Sequence, residues 1–241
     1  MTMKKTLWVI GLALLFISSL PIFLFIREDM TWNKLQNRYE VIPIPSAGER
    51  LVLPITLLGH TINFTETPTG EMVESIYFSD QGMQKQEVVS LQLFINEEAV
   101  AQPVHMVPVT RFDQERYYNW VALFQVNERE TNTKRIAIVQ RTSPDAVMMS
   151  ERTWRVIWLD ESGVLDEVHI PYKERSEHLL ETRLINSSGT ALMSMGFYSD
   201  IAHFWPNLFF PILYPGGTLI ASIVLLLAAL FTSIRRRKVV T

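Results

Sequence analysis

The chain has 241 residues, 48% of them hydrophobic, and a formal net charge of −3. It has no cysteine, which excludes a disulfide framework and a lipid-modified cysteine anchor. The apolar residues are concentrated: residues 7–26 and 204–234 carry no charge at all. An uncharged run of about 20 residues can cross a hydrocarbon core of about 30 Å, so each end offers a candidate span.

The first run follows the basic N-terminal residues 1–6, as in a secretory signal. It is longer than the usual apolar part of a signal, however, and no small-residue cleavage site follows it. We therefore predict an uncleaved transmembrane helix at 7–26.

The polar residues that follow, 27–50, are expected to connect this helix to a folded domain. Residues 27–40 read as a stalk that continues the helix. Residues 41–50, "VIPIPSAGER", alternate prolines with other residues and read as an extended linker.

The middle of the chain, 51–203, has the pattern of a mainly β domain. Short runs rich in β-branched and aromatic residues indicate strands. These runs lie at 51–58, 61–65, 72–78, 87–95 and 104–109. Residues 117–170 then form two consecutive hairpin patterns, which predict a β-meander. The expected frame is a β-sandwich or an open barrel.

One segment of this domain, 173–189, supports two interpretations. "KERSEHLLETRL" consists of good helix formers, whereas "HLLETRLINSSGTALMSMGFY" also reads as a hairpin around "NSSG". We favour the hairpin because the surrounding runs are strand-like.

The second apolar run is too long for one perpendicular span, since 31 residues of helix measure about 46 Å. A proline is favoured at the first position of a helix, so a span beginning at Pro215 and ending at Ile234 is the preferred division. Residues 204–214 would then lie along the outer membrane interface. The alternative is one long helix kinked at Pro211 and Pro215.

Positive flanks predict the orientation of the two spans. Lys4 and Lys5 precede the first span and a basic tail, 235–241, follows the second, so both termini are expected in the cytoplasm. The residues between the spans hold all 25 acidic and 16 of the 22 basic side chains. An extracytoplasmic domain of charge −9 would repel nucleic acids.

Several side chains are candidates for contacts with the bilayer or with partners. Small residues at helix-contact spacing form a candidate packing face: Gly217, Thr218, Ala221 and Ser222. On the first span, Gly11 and Ser18 are seven residues apart. Aromatic side chains near charges could recognise a ligand: Tyr117, Tyr118 and Trp120. Membrane-interface anchors are expected at Trp205, Tyr214, Arg235, Arg236, Arg237 and Lys238.

The sequence contains no recognisable motif for catalysis, a cofactor or a metal. His169 and His178 lie near four carboxylates, but their spacing matches no metal-binding motif. Seven residues after Ile234 leave no room for a cytoplasmic output domain. We therefore expect a membrane-anchored extracytoplasmic binding or accessory subunit, assembled with another integral membrane protein or with copies of itself. An outer-surface envelope hydrolase and a stress or immunity protein acting on a membrane target are the alternatives.

The predicted orientation can be tested with reporter fusions. Alkaline phosphatase fused after Gly163 is expected to be active, because it would lie outside, and the same reporter at Thr241 is expected to be inactive. A fluorescent protein that folds only in the cytoplasm serves as the matched reporter and should give the reverse result. Protection of residue 163 from external protease would contradict the orientation.

Overall fold

The computed structural model describes residues 3–45, 51–74, 85–108, 116–117, 119–144, 148–191 and 212–238. The chain divides into two compact units. One contains Met1–Lys34 and Gly196–Thr241, and the other contains Leu35–Met195.

The first unit contains two long helices: α1 (Met3–Arg38), apart from its last four residues, and α3 (Thr218–Lys238). By length and composition, the stretches Lys5–Arg38 and Leu213–Thr232 are long and apolar enough to cross a membrane. Before α3, the irregular turns of Ile212–Gly217 are interrupted at Tyr214, whose φ of −141° and ψ of 124° are extended. Proline disfavours a helical residue before it, which accounts for this break at Tyr214. The interfacial placement of 204–214 stays a prediction, because most of that segment lies outside the described residues.

The second unit is mainly β, as the sequence predicted. Its described residues also contain one short α-helix, α2 (Leu179–Asn186), and three single-turn 3-10 helices. Its strands are β1 (Tyr39–Ile44), β2 (Ile55–Leu57), β3 (His60–Glu74), β4 (Lys85–Ile95), β5 (Glu98–Met106), β6 (Val121–Glu128), β7 (Thr133–Arg141), β8 (Thr153–Asp160) and β9 (Gly163–Pro171).

These strands form two antiparallel sheets. The five-stranded sheet has the order β1-β6-β7-β8-β9 and the four-stranded sheet has the order β2-β3-β4-β5. Strands β6 to β9 pair in sequence order, so the region 117–170 contains a meander. Gly163 begins β9 with a φ of 126°, a conformation that glycine adopts without a side-chain clash.

Alternation along the strands divides the buried side chains between two clusters. In β7, Ile136 and Ile138 join one cluster, while Ala137 and Val139 join the other. The first cluster also contains β3, β4 and β5 residues such as Leu91. Side chains of both sheets therefore bury one another. The second cluster lies on the opposite face of the five-stranded sheet and includes Leu184 and Ile185 of α2.

A buried arginine links the two sheets beside the first cluster. Arg155 on β8 donates from Nε to Gln140 Oε1 at 2.8 Å and from Nη2 to the backbone carbonyl of Gln102 on β5. Its Nη1 lies 3.7 Å from Glu167 Oε1. Burial lowers the pKa of Arg155, but the nearby carboxylate opposes this shift. The guanidinium thus exchanges water for three polar partners in the protein.

The structure corrects the hairpin interpretation of 173–189, which was wrong. Residues Leu179–Asn186 form α2, and the helix ends where the backbone N–H of Ser187 bonds to the carbonyl of Arg183 at 3.0 Å. The helix-forming residues of this segment favour a helix. The helix is also stabilised by tertiary packing, because its apolar residues Leu184 and Ile185 are buried in the second cluster.

The structure also changes the interpretation of 41–50 as a linker. Residues 41–44 belong to β1, which pairs with β6 from Tyr39↔Glu128 to Ile44↔Leu123. Pro43 is compatible with this position because β1 is an edge strand, where a missing N–H need not interrupt a ladder. Residues 46–50 lie outside the described residues, as do 75–78 of the strand expected at 72–78. The domain thus begins before residue 41 rather than at 51.

The pairing of β1 predicts where a soluble fragment must begin. We expect residues 35–195 to fold alone. Removing residues 35–44 is expected to lower the free energy of unfolding by about 2–5 kcal/mol, since fully burying one large apolar side chain contributes about 1.5–3 kcal/mol. Tyr39, Val41 and Ile44 are only partly buried, so half of the full value is counted for each. Urea unfolding followed by far-UV circular dichroism measures the loss. The control substitution Glu40→Ala, at an exposed position of β1, should cost much less. Equal stability of fragments 35–195 and 45–195 would contradict the assignment of β1 to the domain core.

Candidate functional site: a helix seam and a groove on the five-stranded sheet

Within the first unit, α1 and α3 pack antiparallel through polar contacts between small side chains. The hydroxyl oxygens of Ser18 and Thr218 lie 2.7 Å apart. Ser222 Oγ donates to the carbonyl of Gly11 at 2.8 Å. As residue numbers fall along α1, they rise along α3, so the two helices run in opposite directions. We call this contact, defined by Gly11, Ser18, Thr218 and Ser222, the helix seam.

Gly11 allows the backbones to approach closely at the seam. A Cβ atom built on Gly11 would lie 2.9 Å from the Cγ and Cδ2 atoms of Leu226, inside van der Waals contact. Ser18 and Ser222 are fully buried. Close packing and hydrogen bonds hold helices together in lipid, where tails are as apolar as the side chains.

The candidate packing face of α3 is only partly at this seam. Thr218 and Ser222 make the contacts described above, and Gly217 is half-buried. Ala221 is exposed, so in this structure it does not belong to the seam. One residue turns a helix by about 100°, so Ala221 points in a different direction from Ser222, which contacts Gly11.

The expected interface anchors have different outcomes. Tyr214 donates its hydroxyl to the carbonyl of Ile17 at 3.1 Å and so contacts α1. Trp205 lies outside the described residues. The basic residues Arg235, Arg236, Arg237 and Lys238 form the last turns of α3. Their role at a membrane surface stays a prediction.

The structure corrects the proposed recognition role of Trp120. This side chain is buried in the first cluster, and its Nε1 donates to the carbonyl of Val107 at 2.9 Å. The guanidinium carbon of Arg141 lies 3.8 Å from the ring centroid. The indole is not accessible to a ligand, because neighbouring side chains and these two contacts cover it. Tyr118 lies outside the described residues.

Tyr117 is half-buried and forms a surface cluster with Glu66 and Arg116. Arg116 donates from Nε and Nη2 to the two carboxylate oxygens of Glu66, both at 2.5 Å, and the Tyr117 hydroxyl donates to Oε1 at 2.7 Å. The bonds from Arg116 and Tyr117 lower the pKa of Glu66 despite its partial burial. Burial and the Glu66 carboxylate raise the pKa of Tyr117. The three side chains satisfy one another's hydrogen-bonding groups, which is typical of a contact that stabilises the fold.

A groove with both polar and apolar walls lies on the α2 side of the five-stranded sheet in the second unit. Its volume is about 360 Å³. Side chains from five elements line it: Tyr39, Arg135, Trp158, Leu165, Asp166, Val168, Leu180 and Glu181. No motif in the sequence predicts this groove, because its residues lie far apart in the chain.

Trp158 organises the floor of the groove. The indole is almost fully buried, and its Nε1 donates to Glu181 Oε1 at 3.3 Å. The guanidinium carbon of Arg135 lies 4.8 Å from the ring centroid, a cation–π distance. The Arg135 guanidinium thus lies over the face of the Trp158 ring, and the Glu181 carboxylate lies at its Nε1 edge.

The histidines do not form a metal site in the described part of the chain. There, no group of three or more His, Asp or Glu side chains is arranged to hold an ion. His169 Nε2 lies 3.2 Å from Glu167 Oε1, the carboxylate that also faces Arg155.

Comparison with known proteins gives no relative. No protein-family model, curated protein or solved structure matches the chain.

The seam predicts a specific crosslink in this cysteine-free chain. Cysteines at Ser18 and Thr218 are expected to form a disulfide in membranes under mild oxidation, because the oxygens they replace lie 2.7 Å apart. Adding Gly11→Leu should lower the yield severalfold, since Leu226 occupies the space of any side chain at residue 11. The disulfide yield is measured as the fraction of chains that no longer react with a polyethylene-glycol maleimide, which labels only free thiols.

Two controls separate the seam from general helix effects. Cysteines at Ser19 and Thr218 should not crosslink, because Ser19 is exposed and its hydroxyl bonds to Phe16 of its own helix. Ala221→Leu should leave the yield unchanged. A loss with Ala221→Leu as large as that with Gly11→Leu would show that the packing face is a different one.

Proposed function

We propose that this chain is a membrane-anchored extracytoplasmic binding or accessory subunit that assembles with another integral membrane protein. In this proposal α1 and α3 span the cell membrane, both termini lie in the cytoplasm, and the β domain lies outside as a β-sandwich. The observation that carries the proposal is the antiparallel helix pair.

The antiparallel seam supports the proposed topology. It places the N-terminal end of α1 beside the C-terminal end of α3. The sequence has Lys4 and Lys5 at the first end and four consecutive basic residues at the second. Positive charge at the same end of both helices fits two spans with cytoplasmic termini.

The surface of the pair supports a place in lipid. The seam buries its polar side chains, while large apolar side chains point away from it. Phe16 is 82% exposed, Phe231 65% and Leu20 64%. Such exposure is unfavourable in water and normal in a bilayer.

The same features favour an accessory role. The uncharged runs 7–26 and 204–234 contain no Asp, Glu, His, Lys or Arg side chain for a proton or ion path. The hydroxyl groups of the seam bond within the pair. A second membrane protein would therefore supply any transport or output step, and it would pack against the exposed apolar faces. The first cluster, which contains side chains of both sheets, supports a β-sandwich that folds without disulfides.

A photo-crosslinking experiment tests the assembly. The photoreactive residue benzoylphenylalanine replaces Phe16 or Phe231, which are exposed and similar in shape to the probe. On irradiation of intact cells, we expect at least one position to yield a discrete adduct with one integral membrane protein. Samples kept in the dark are the control.

A second, differently tagged copy of the chain in the same cells distinguishes a homo-oligomer, whose adduct carries both tags. Adducts with lipid alone at both positions, together with a monomeric chain in mild detergent, would contradict the assembly.

A further inference from the structure

The groove beside Trp158 contains charged groups that do not neutralise one another by direct ion pairs. Among the described residues, Arg135 forms no ion pair within 4.0 Å, and its close contact is the face of Trp158. A guanidinium held on a ring still directs its N–H donors outward along its edge. Arg135 can therefore receive an oxyanion without losing an existing ion pair.

The two carboxylates of the groove also keep acceptor capacity. Asp166 Oδ1 accepts the backbone N–H of Glu167 at 2.9 Å. Among the described residues, Glu181 Oε1 accepts one hydrogen bond, the long 3.3 Å bond from Trp158. Each carboxylate can accept about four hydrogen bonds, so both can serve an ammonium group.

The remaining wall is apolar. Leu165, Val168 and Leu180 line the groove, and Leu165 is 48% exposed. Ligand sites typically combine such apolar walls with a few fixed polar groups. A volume of about 360 Å³ accommodates a small molecule or a single headgroup rather than a folded partner.

We propose that this groove binds a small zwitterion that carries a primary ammonium and an oxyanion. The ammonium faces Asp166 and Glu181, the oxyanion faces Arg135, and an aliphatic part contacts Leu165, Val168 and Leu180. A free apolar amino acid and the headgroup of an ethanolamine phospholipid share this chemistry. The inference goes beyond the proposed function, because it concerns the β domain alone and does not depend on membrane orientation or on a protein partner.

Ligand-observed saturation-transfer NMR on the full chain in detergent tests the proposal. The probes are leucine and glycerophosphoethanolamine, one for each source of the zwitterion. Two matched analogues remove one charge each: leucinamide lacks the oxyanion and N-acetylleucine lacks the ammonium. We expect saturable binding of leucine, glycerophosphoethanolamine or both below about 10 mM, the weak end for a ligand of this size.

The analogues test the charge requirement on the unmodified protein. Leucinamide and N-acetylleucine should each bind about tenfold more weakly than leucine, or not at all, because a charge-assisted contact is lost. Binding of leucine alone identifies a free amino acid as the source, and binding of glycerophosphoethanolamine alone identifies the lipid headgroup. In that second case phosphoethanol and ethanolamine replace the leucine analogues. Equal binding of a charge-deleted analogue and its parent overturns the proposal, and so does absence of binding by both probes.

Two variants place the site. Arg135→Gln and Glu181→Gln should each weaken binding by about tenfold. The matched controls Arg129→Gln and Glu177→Gln change exposed side chains outside the groove and should bind as the wild type does. Unchanged binding by a folded Arg135→Gln chain overturns the assignment. If that variant is unfolded, the analogues on the wild-type chain decide the outcome.

Discussion

The β domain depends on apolar burial between its two sheets. The chain has no cysteine, so no disulfide can reduce the entropy of its unfolded state. Leu91 and Leu93 of one sheet and Ile138 and Ile157 of the other are fully buried in one cluster. A second cluster on the far face of the five-stranded sheet adds Trp154 and the apolar side of α2. The central strands β7 and β8 are thus covered on both faces, which explains why they read as nearly continuous apolar runs.

The helix pair solves a different packing problem. Burial from water stabilises the β domain, whereas helices surrounded by lipid gain little from hiding apolar side chains. The seam instead uses shape and hydrogen bonds: Gly11 leaves space for Leu226, and two serines and a threonine bond across or along the contact. The large exposed apolar side chains of the described residues include Phe16 and Phe231 on these helices, as the proposed membrane location requires.

The sequence predicted what local periodicity controls. Alternation indicated the strands of the meander, and uncharged length indicated the two apolar helices. It failed where contacts distant in sequence decided the structure. Residues 41–44 look like a proline-rich linker until β6 pairs with them. Leu179–Asn186 forms a helix because it covers an apolar sheet face. Trp120 looked available for recognition, but the first cluster buries it. The groove draws on Tyr39, Arg135 and Glu181, and only the folded topology brings these together.

Arg155 favours one alignment of the two sheets over others. Its guanidinium reaches from β8 across to the backbone carbonyl of Gln102 on β5, with Gln140 and Glu167 as its other partners. Apolar clusters tolerate sliding, because one leucine can replace another at small cost. A buried cation does not, because any alternative alignment of the sheets would leave it without partners in a dry environment. We expect this single charge to destabilise near-native misfolded states in which the two sheets are shifted. The chain has no disulfide that could otherwise fix the alignment of the sheets.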